Sequence, residues 1–128
     1  MSSIVLDASA LLAVLNQEPG AEKLPPELLA QATISTVNLA EVHSKLVREG
    51  FDPDEAWEDA MGPVQDCVPF TASQARIAGS LAAQTRSLGL SLGDRACLAL
   101  GLALKAPVYT TDRAWKSLKL GVRIHVIR

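Results

Sequence analysis

The sequence has few of the residues that hold a protein together through covalent or metal links. Only two cysteines occur, Cys67 and Cys97, and each lies in an apolar stretch. Such cysteines fit buried thiols in a reducing compartment better than a disulfide framework or a metal pair. The apolar segment 4–15 is too short to cross a bilayer, contains Asp7 and follows no basic leader. We therefore expect a cytoplasmic protein without a membrane partner.

Aromatic residues and histidines are also scarce. Aromatic side chains make up 4% of the 128 residues, which provides no obvious platform for stacking bases. His43 and His125 lack the spacing of zinc ligands, and we assign structural roles to both. The composition thus argues against a zinc site and against recognition of bases by stacking.

The charges are unevenly distributed, although the formal net charge of −2 does not indicate a nucleic-acid-binding protein. Residues 52–66 contain six acidic side chains and no basic one. Residues 105–128 contain six basic side chains and one acidic one. These segments predict either two solvated faces of opposite sign or a basic side that faces phosphate groups.

Strand-like and helix-like segments alternate along the chain. The predicted strands are 3–7, 33–37, 67–70, 107–112 and 122–127. The predicted longer helices are 8–17, 38–50, 53–66, 72–89 and 91–107. Near-continuous apolar strands separated by helices are typical of a parallel sheet covered on both faces. We therefore predict one domain over residues 1–128, an α/β/α sandwich with a mostly parallel five-stranded sheet.

Four acidic residues lie where this sheet would bind a ligand. They are Asp7 at the end of the first strand, Glu41 in the helix after the second, Asp94 at the start of the apolar helix and Asp112 at the end of the fourth strand. Open parallel sheets bind ligands outside the carboxyl ends of their strands. The topology therefore predicts that the four carboxylates meet at one edge.

Each acid also has a purely structural interpretation. The pairs Asn38-x-x-Glu41 and Ser91-x-x-Asp94 have the spacing of capping boxes, and the other two acids can act as N-caps. Gathered in a partly dry cleft, however, carboxylates repel one another and require a compensating cation. Mg²⁺ or Mn²⁺ prefers such oxygen ligands, and an ion held in this way suits phosphodiester hydrolysis.

On these residues the sequence resembles the PIN domain family, and within it the VapC toxins of bacterial and archaeal toxin–antitoxin systems. The resemblance extends from IVLDASALLA to VRIHVIR, over nearly the whole chain. Its most specific motifs are DASALLAVL with Asp7, STVNLAEV with Glu41, LSLGDRACLALG with Asp94 and VYTTDRAW with Asp112. The family's sheet order places strand one beside strand four and strand three at an edge, in agreement with Pro69 in the third predicted strand.

The resemblance implies a metal-dependent endoribonuclease that hydrolyses RNA, often transfer or ribosomal RNA, and leaves a 5′-phosphate and a 3′-hydroxyl. By position, Asp7 and Asp94 correspond to the principal Mg²⁺ ligands, and Glu41 and Asp112 complete the catalytic acidic site. The resemblance further implies a homodimer and a cognate VapB-type antitoxin, whose C-terminal segment blocks the cleft.

Four more residues are candidates for contacts around the acids. Ser9 and Thr111 can orient the carboxylates or the scissile phosphate, and Arg95 and Arg113 can contact substrate phosphates or balance the acids. Many members of the family carry a further acid shortly after the last one, whereas Arg113 follows Asp112 here. We therefore expect one firmly held ion rather than two.

Other functional classes fit the same acidic edge less well. A receiver-type signalling domain needs a phospho-acceptor Asp at the end of its third strand, where this chain has Pro69-Phe70-Thr71. A haloacid-dehalogenase-like phosphatase needs a second acid at the position of Ser9. The remaining alternative is a non-catalytic PIN-like module that binds RNA or a partner. The acids argue against it, because a domain that only binds phosphates gains nothing from concentrated negative charge.

Overall fold

The computed structural model describes residues 3–128, which form one five-stranded sheet with helices on both faces. The strands are β1 (Ile4–Leu6), β2 (Ala32–Ser35), β3 (Asp66–Val68), β4 (Val108–Thr110) and β5 (Ile124–Val126). Their order is β3-β2-β1-β4-β5, and each of the pairings is parallel. The predicted α/β/α sandwich is confirmed, as are the position of β1 beside β4 and that of β3 at an edge.

Within residues 3–128, six α-helices and three short 3₁₀ helices connect the strands. The α-helices are α1 (Ala8–Asn16), α2 (Pro26–Leu29), α3 (Thr36–Arg48), α4 (Pro53–Met61), α5 (Ala72–Ser80) and α6 (Leu92–Leu104). The 3₁₀ helices are Ala21–Lys23, Arg86–Leu88 and Arg113–Ser117. None of the helices in this part of the chain combines the length and the apolar character needed to cross a membrane.

Strand β1 is buried on both faces, which explains why its sequence is continuously apolar. Ile4 and Leu6 belong to a core cluster that also contains side chains of α1, α3 and α4. Val5, between them, belongs to a second cluster that contains Leu98 and Leu100 of α6. Successive side chains of a strand point to opposite faces, so each face of β1 buries its own layer of helices.

Several predicted helices differ in extent from the observed ones. Helix α4 ends at Met61, ahead of Pro63, instead of extending to position 66. Helix α3 begins at Thr36, two residues earlier than predicted, because the hydroxyl of Ser35 accepts a hydrogen bond from the Val37 amide and caps the helix there. Helix α5 ends at Ser80 instead of extending to position 89. Residues 81–85 form turns, in which both the amide and the buried hydroxyl of Thr85 donate to the Leu81 carbonyl, at 3.0 Å and 2.8 Å.

Candidate functional site

Asp7 is the most deeply buried acid at the carboxyl edge of the sheet. Its side chain is 5% exposed and caps α1, with Oδ1 accepting from the Ala10 amide at 2.8 Å and from the Ser9 hydroxyl at 2.7 Å. Oδ2 accepts from the Thr110 hydroxyl at 2.6 Å. Burial raises the pKa of Asp7 from 3.8 to about 6; these hydrogen bonds oppose the shift and the charge of Asp94 adds to it. The cap predicted for this residue is confirmed.

Two hydroxyl groups join the ends of β1 and β4 around this carboxylate. The Thr110 hydroxyl, besides donating to Asp7, accepts from the Asp112 amide at 3.1 Å. The Ser9 hydroxyl accepts from the Thr111 amide at 3.0 Å. Thr111 thus contributes its backbone N–H to the site. The threonine hydroxyl that donates to Asp7 belongs to Thr110, a residue that the sequence analysis did not identify. The alternation of side chains along β4 was the signal that distinguishes these two threonines.

Glu41 lies beside the first turn of α6, held there by Asn38. Asn38 is 1% exposed, and its Nδ2 donates to Glu41 Oε1 and to the Gly93 carbonyl, both at 2.9 Å. The predicted capping box of Asn38 and Glu41 is wrong, because Ser35 caps α3 and Asn38 lies inside the helix. Asn38 Oδ1 is buried and has no hydrogen-bond partner within residues 3–128. Sequence reasoning did not identify Asn38 as a residue of the site.

Gly93 allows this close approach of the two helices. A Cβ atom at position 93 would lie 2.5 Å from Glu41 Oε2 and 2.6 Å from Oε1. These separations are shorter than real Cβ contacts, so any side chain would displace the Glu41 carboxylate. Glycine at the start of α6 is therefore a condition for the observed position of Glu41.

Asp94 and Asp112 both cap helices, as predicted. Asp94 Oδ2 accepts from the Ser91 amide at 3.0 Å and completes a capping box with that serine. Asp112 Oδ1 accepts from the Ala114 amide at 3.0 Å. Within residues 3–128, Asp94 Oδ1, Asp112 Oδ2 and Glu41 Oε2 accept no hydrogen bond. Each of these acids therefore uses one oxygen for structure and keeps the other available to a ligand.

The four acids line one cleft of about 320 Å³. Its walls consist of Asp7, Ala8, Ser9, Leu12, Asn38, Glu41, Lys45, Arg48, Asp94 and Asp112. The fully buried Cys97 lies close to three of these acids: burial, followed by the charges of Asp7, Asp94 and Glu41, raises the pKa of its thiol well above the usual value. The cysteine is consequently a neutral part of the core beneath the cleft.

The two arginines predicted to contact phosphate lie elsewhere. A guanidinium N–H of Arg95 donates to the Ala78 carbonyl at 2.9 Å and ties α6 to α5. Arg113 Nε donates to the Arg128 carbonyl at 3.0 Å. The basic residues that line the cleft are Lys45 and Arg48 of α3, which sequence reasoning missed. Their signal was their spacing from Glu41, four and seven residues further along the same helix.

The donor set of the cleft suits a hard divalent cation that retains several water molecules. All four acids offer oxygen, the donor that Mg²⁺ and Mn²⁺ prefer. Within residues 3–128, however, no three Asp, Glu, His or Cys side chains converge on one point closely enough to hold an ion. The residues therefore fit an ion bound by one or two carboxylates, with water or substrate completing its coordination.

The PIN domain family matches residues 4–120 of this chain. Among solved structures, the chain is similar to VapBC2 from Rickettsia felis bound to a DNA fragment from its promoter, with 17% identity and a TM-score of 0.74 over 95% of this chain and 96% of that one. DNA-bound VapBC from Salmonella typhimurium is 16% identical, with a TM-score of 0.74 over 98% of both chains. VapC20 from Mycobacterium tuberculosis, a sarcin–ricin loop cleaving toxin, is 20% identical, with a TM-score of 0.73 over 94% of this chain and 99% of that one. No curated protein matches the chain.

Proposed function

Because this chain belongs to the PIN domain family, we propose that it is a metal-dependent endoribonuclease and the toxin of a toxin–antitoxin pair. The observation that carries the proposal is the cleft in which Asp7, Glu41, Asp94 and Asp112 come together at the carboxyl ends of β1 and β4. A domain that only bound nucleic acid would gain nothing from four acids there. The non-catalytic binding module is therefore the weaker alternative.

Asp7 and Asp94 would hold the ion, with Glu41 and Asp112 acting through water or through a second ion that arrives with substrate. The ion, Mg²⁺ or Mn²⁺, would stabilise negative charge on the phosphate and lower the pKa of water. Ser9 and Thr110 hold the Asp7 carboxylate in a fixed orientation through the hydrogen bonds described above. The raised pKa of Asp7 is a property that a bound cation would reverse, because nearby positive charge favours the ionised carboxylate.

The proposed biological context is a cytoplasmic homodimer inhibited by a VapB-type antitoxin. Its support is the likeness of the chain to the two VapBC structures, which extends over at least 95% of its length. Transfer RNA and ribosomal RNA are the proposed substrates. Cleavage would leave a 5′-phosphate and a 3′-hydroxyl.

The direct test is incubation of the purified protein, free of antitoxin, with total cellular RNA in Mg²⁺, in Mn²⁺ and in EDTA, followed by mapping of the new ends. Asp7→Ala and Asp94→Asn should lose the cuts while the fold remains intact. Asp54→Asn is the matched control, because Asp54 is an exposed acid of α4 and does not line the cleft. Discrete metal-dependent cuts present in the wild type and control but lost in both site variants would support the nuclease.

If the wild type and the two site variants all left the RNA uncut under every condition, the nuclease proposal would be overturned. If the same proteins still bound RNA, the non-catalytic module would take its place. The toxin assignment would be supported by a short neighbouring gene that encodes a DNA-binding protein. That protein should co-purify with this chain and block its cleavage of RNA.

A further inference from the structure

Helix α3 presents one acid and two bases along one face toward the cleft. Glu41, Lys45 and Arg48 all line it, and their spacing of four and three residues places them on the same side of the helix. With a rise of about 1.5 Å per residue, Lys45 lies about 6 Å and Arg48 about 10 Å beyond Glu41 along the helix axis. The row therefore extends from Glu41 along the helix within the lining of the cleft.

The two bases are not occupied by the acids near them. Within residues 3–128, neither Lys45 nor Arg48 forms an ion pair or a side-chain hydrogen bond, and both are exposed. Glu41 is bound to Asn38 instead of Lys45, so the simple explanation of a helix-stabilising Glu–Lys pair does not describe this site. The cations remain available to a ligand.

Four other basic residues are less suitable than Lys45 and Arg48 for contacting a ligand in the cleft. Arg95 and Arg113 bond to backbone carbonyls. Lys105 and Arg123 line a separate concavity of about 550 Å³ together with residues that precede β4 and β5. The amino ends of parallel strands lie at the opposite edge of the sheet from the carboxyl ends, so this concavity faces away from the acids.

We propose that Lys45 and Arg48 form the substrate-binding edge of the cleft and contact two backbone phosphates of an RNA strand, on one side of the scissile bond. This inference rests on the proposed ribonuclease function. A polyanion that enters a cleft with four acids meets repulsion, and cations placed one and two turns from Glu41 offset that repulsion where the strand enters. We expect these contacts to be with phosphates, because the lysine ammonium and the arginine guanidinium both bind phosphate oxygens. The lining of the cleft contains no aromatic side chain on which a base could stack.

The test measures RNA binding in a background that does not cut. Lys45→Gln and Arg48→Gln are combined with Asp94→Asn, and binding of a labelled single-stranded RNA is followed by fluorescence anisotropy in Mg²⁺ over a range of salt concentrations. We expect the Kd to rise at least about tenfold and the slope of log K against log salt to fall by about 1.4, the value for two phosphates of a single strand. Lys105→Gln with Arg123→Gln in the same background is the control and should leave both quantities unchanged.

Kinetics of the cutting enzyme provide the second measurement. With Asp94 intact, the Lys45→Gln and Arg48→Gln protein should show a raised KM and a kcat within about twofold of the wild type, because the lost contacts act in binding. An unchanged Kd and salt slope would overturn the inference while leaving a cutting wild type, and hence the nuclease, in place. A wild type that never cuts but binds RNA through Lys45 and Arg48 would instead overturn the nuclease and retain the binding edge.

Discussion

The hydroxyl of Thr110 donates to Asp7 Oδ2 at 2.6 Å and thereby joins the ends of two neighbouring parallel strands at the acidic cleft. The same oxygen accepts from the Asp112 amide. Thr110 thus bonds the side chain of Asp7, the most buried acid of the cleft, and also the backbone of Asp112, a second acid of the cleft. If Asp7 binds the proposed ion, Thr110 would orient a metal ligand without touching the metal, and such residues affect metal affinity strongly in known sites.

Thr110→Val should raise the pKa of Asp7 above about 6, because the variant loses a hydrogen bond that lowers it. A carboxylate that ionises less readily binds a cation less well, so cleavage at neutral pH should fall by about tenfold or more and require more Mg²⁺. The measurement is the Mg²⁺ concentration for half-maximal cleavage at several pH values. Thr111→Val is the control: it retains the N–H that bonds Ser9, and equal effects of the two variants would contradict the assignment.

In the metal-free protein, the free energy of unfolding of Asp7→Asn relative to the wild type should be higher at neutral pH than in acid. The pKa of Asp7 is about 6 in the folded protein and 3.8 as an ordinary carboxyl, so the folded state binds the proton more tightly. The contribution of the protonated Asp7 carboxyl to the free energy of unfolding is complete below about pH 4. It is lost as the pH rises to about 6 and beyond, a loss on the order of 3 kcal/mol. Urea unfolding in EDTA, compared between the two proteins from about pH 4 to about pH 7, measures it. A pH-independent difference would contradict the shift.

Gly93→Ala should reduce cleavage at least about tenfold while changing the free energy of unfolding by less than about 1 kcal/mol. The new Cβ would collide with the end of the flexible Glu41 side chain, which can move aside without disturbing the backbone. Gly79→Ala is the matched control, since no atom lies within 4 Å of its Cβ position in α5. It should increase stability slightly and leave cleavage unchanged. Equal activity of both variants would show that the position of Glu41 is unimportant.

Asn38→Asp should lower the free energy of unfolding by roughly 3 kcal/mol at neutral pH, because a buried carboxylate would face the Glu41 carboxylate and the Gly93 carbonyl. The loss should diminish in acid, where the new carboxyl takes up a proton and regains a donor. Urea unfolding at about pH 5 and about pH 8 tests both statements. Asn16→Asp is the control: its amide also donates to a glutamate, but at an exposed site, so its cost should stay below about 1 kcal/mol.

Local features of the fold and site could be predicted from the sequence. The apolar runs and the helices between them indicated the parallel sheet, and the Ser91–Asp94 spacing indicated a cap that the structure contains. Local rules also failed in two places. The Asn38–Glu41 spacing imitated a capping box although Ser35 begins the helix, and the alanine-rich segment after Thr71 lost its helix at Ser80. At the start of α3 a single hydrogen bond, from the Val37 amide to the Ser35 hydroxyl, decided the outcome, and sequence patterns do not reveal which such bond forms.

The sequence by itself determined which residues are acidic, which segments are strands and helices, and therefore that the acids collect at one edge of the sheet. Only the tertiary structure decided which neighbours hold those acids. Thr110 lies 103 residues from Asp7, and the Gly93 carbonyl lies 55 residues from Asn38. Periodicity and capping act within a few residues of the chain, whereas these contacts depend on how the packed helices and strands approach one another. The folded protein likewise shows that Lys45 and Arg48 line the cleft, whereas Arg95 and Arg113 bond to backbone carbonyls.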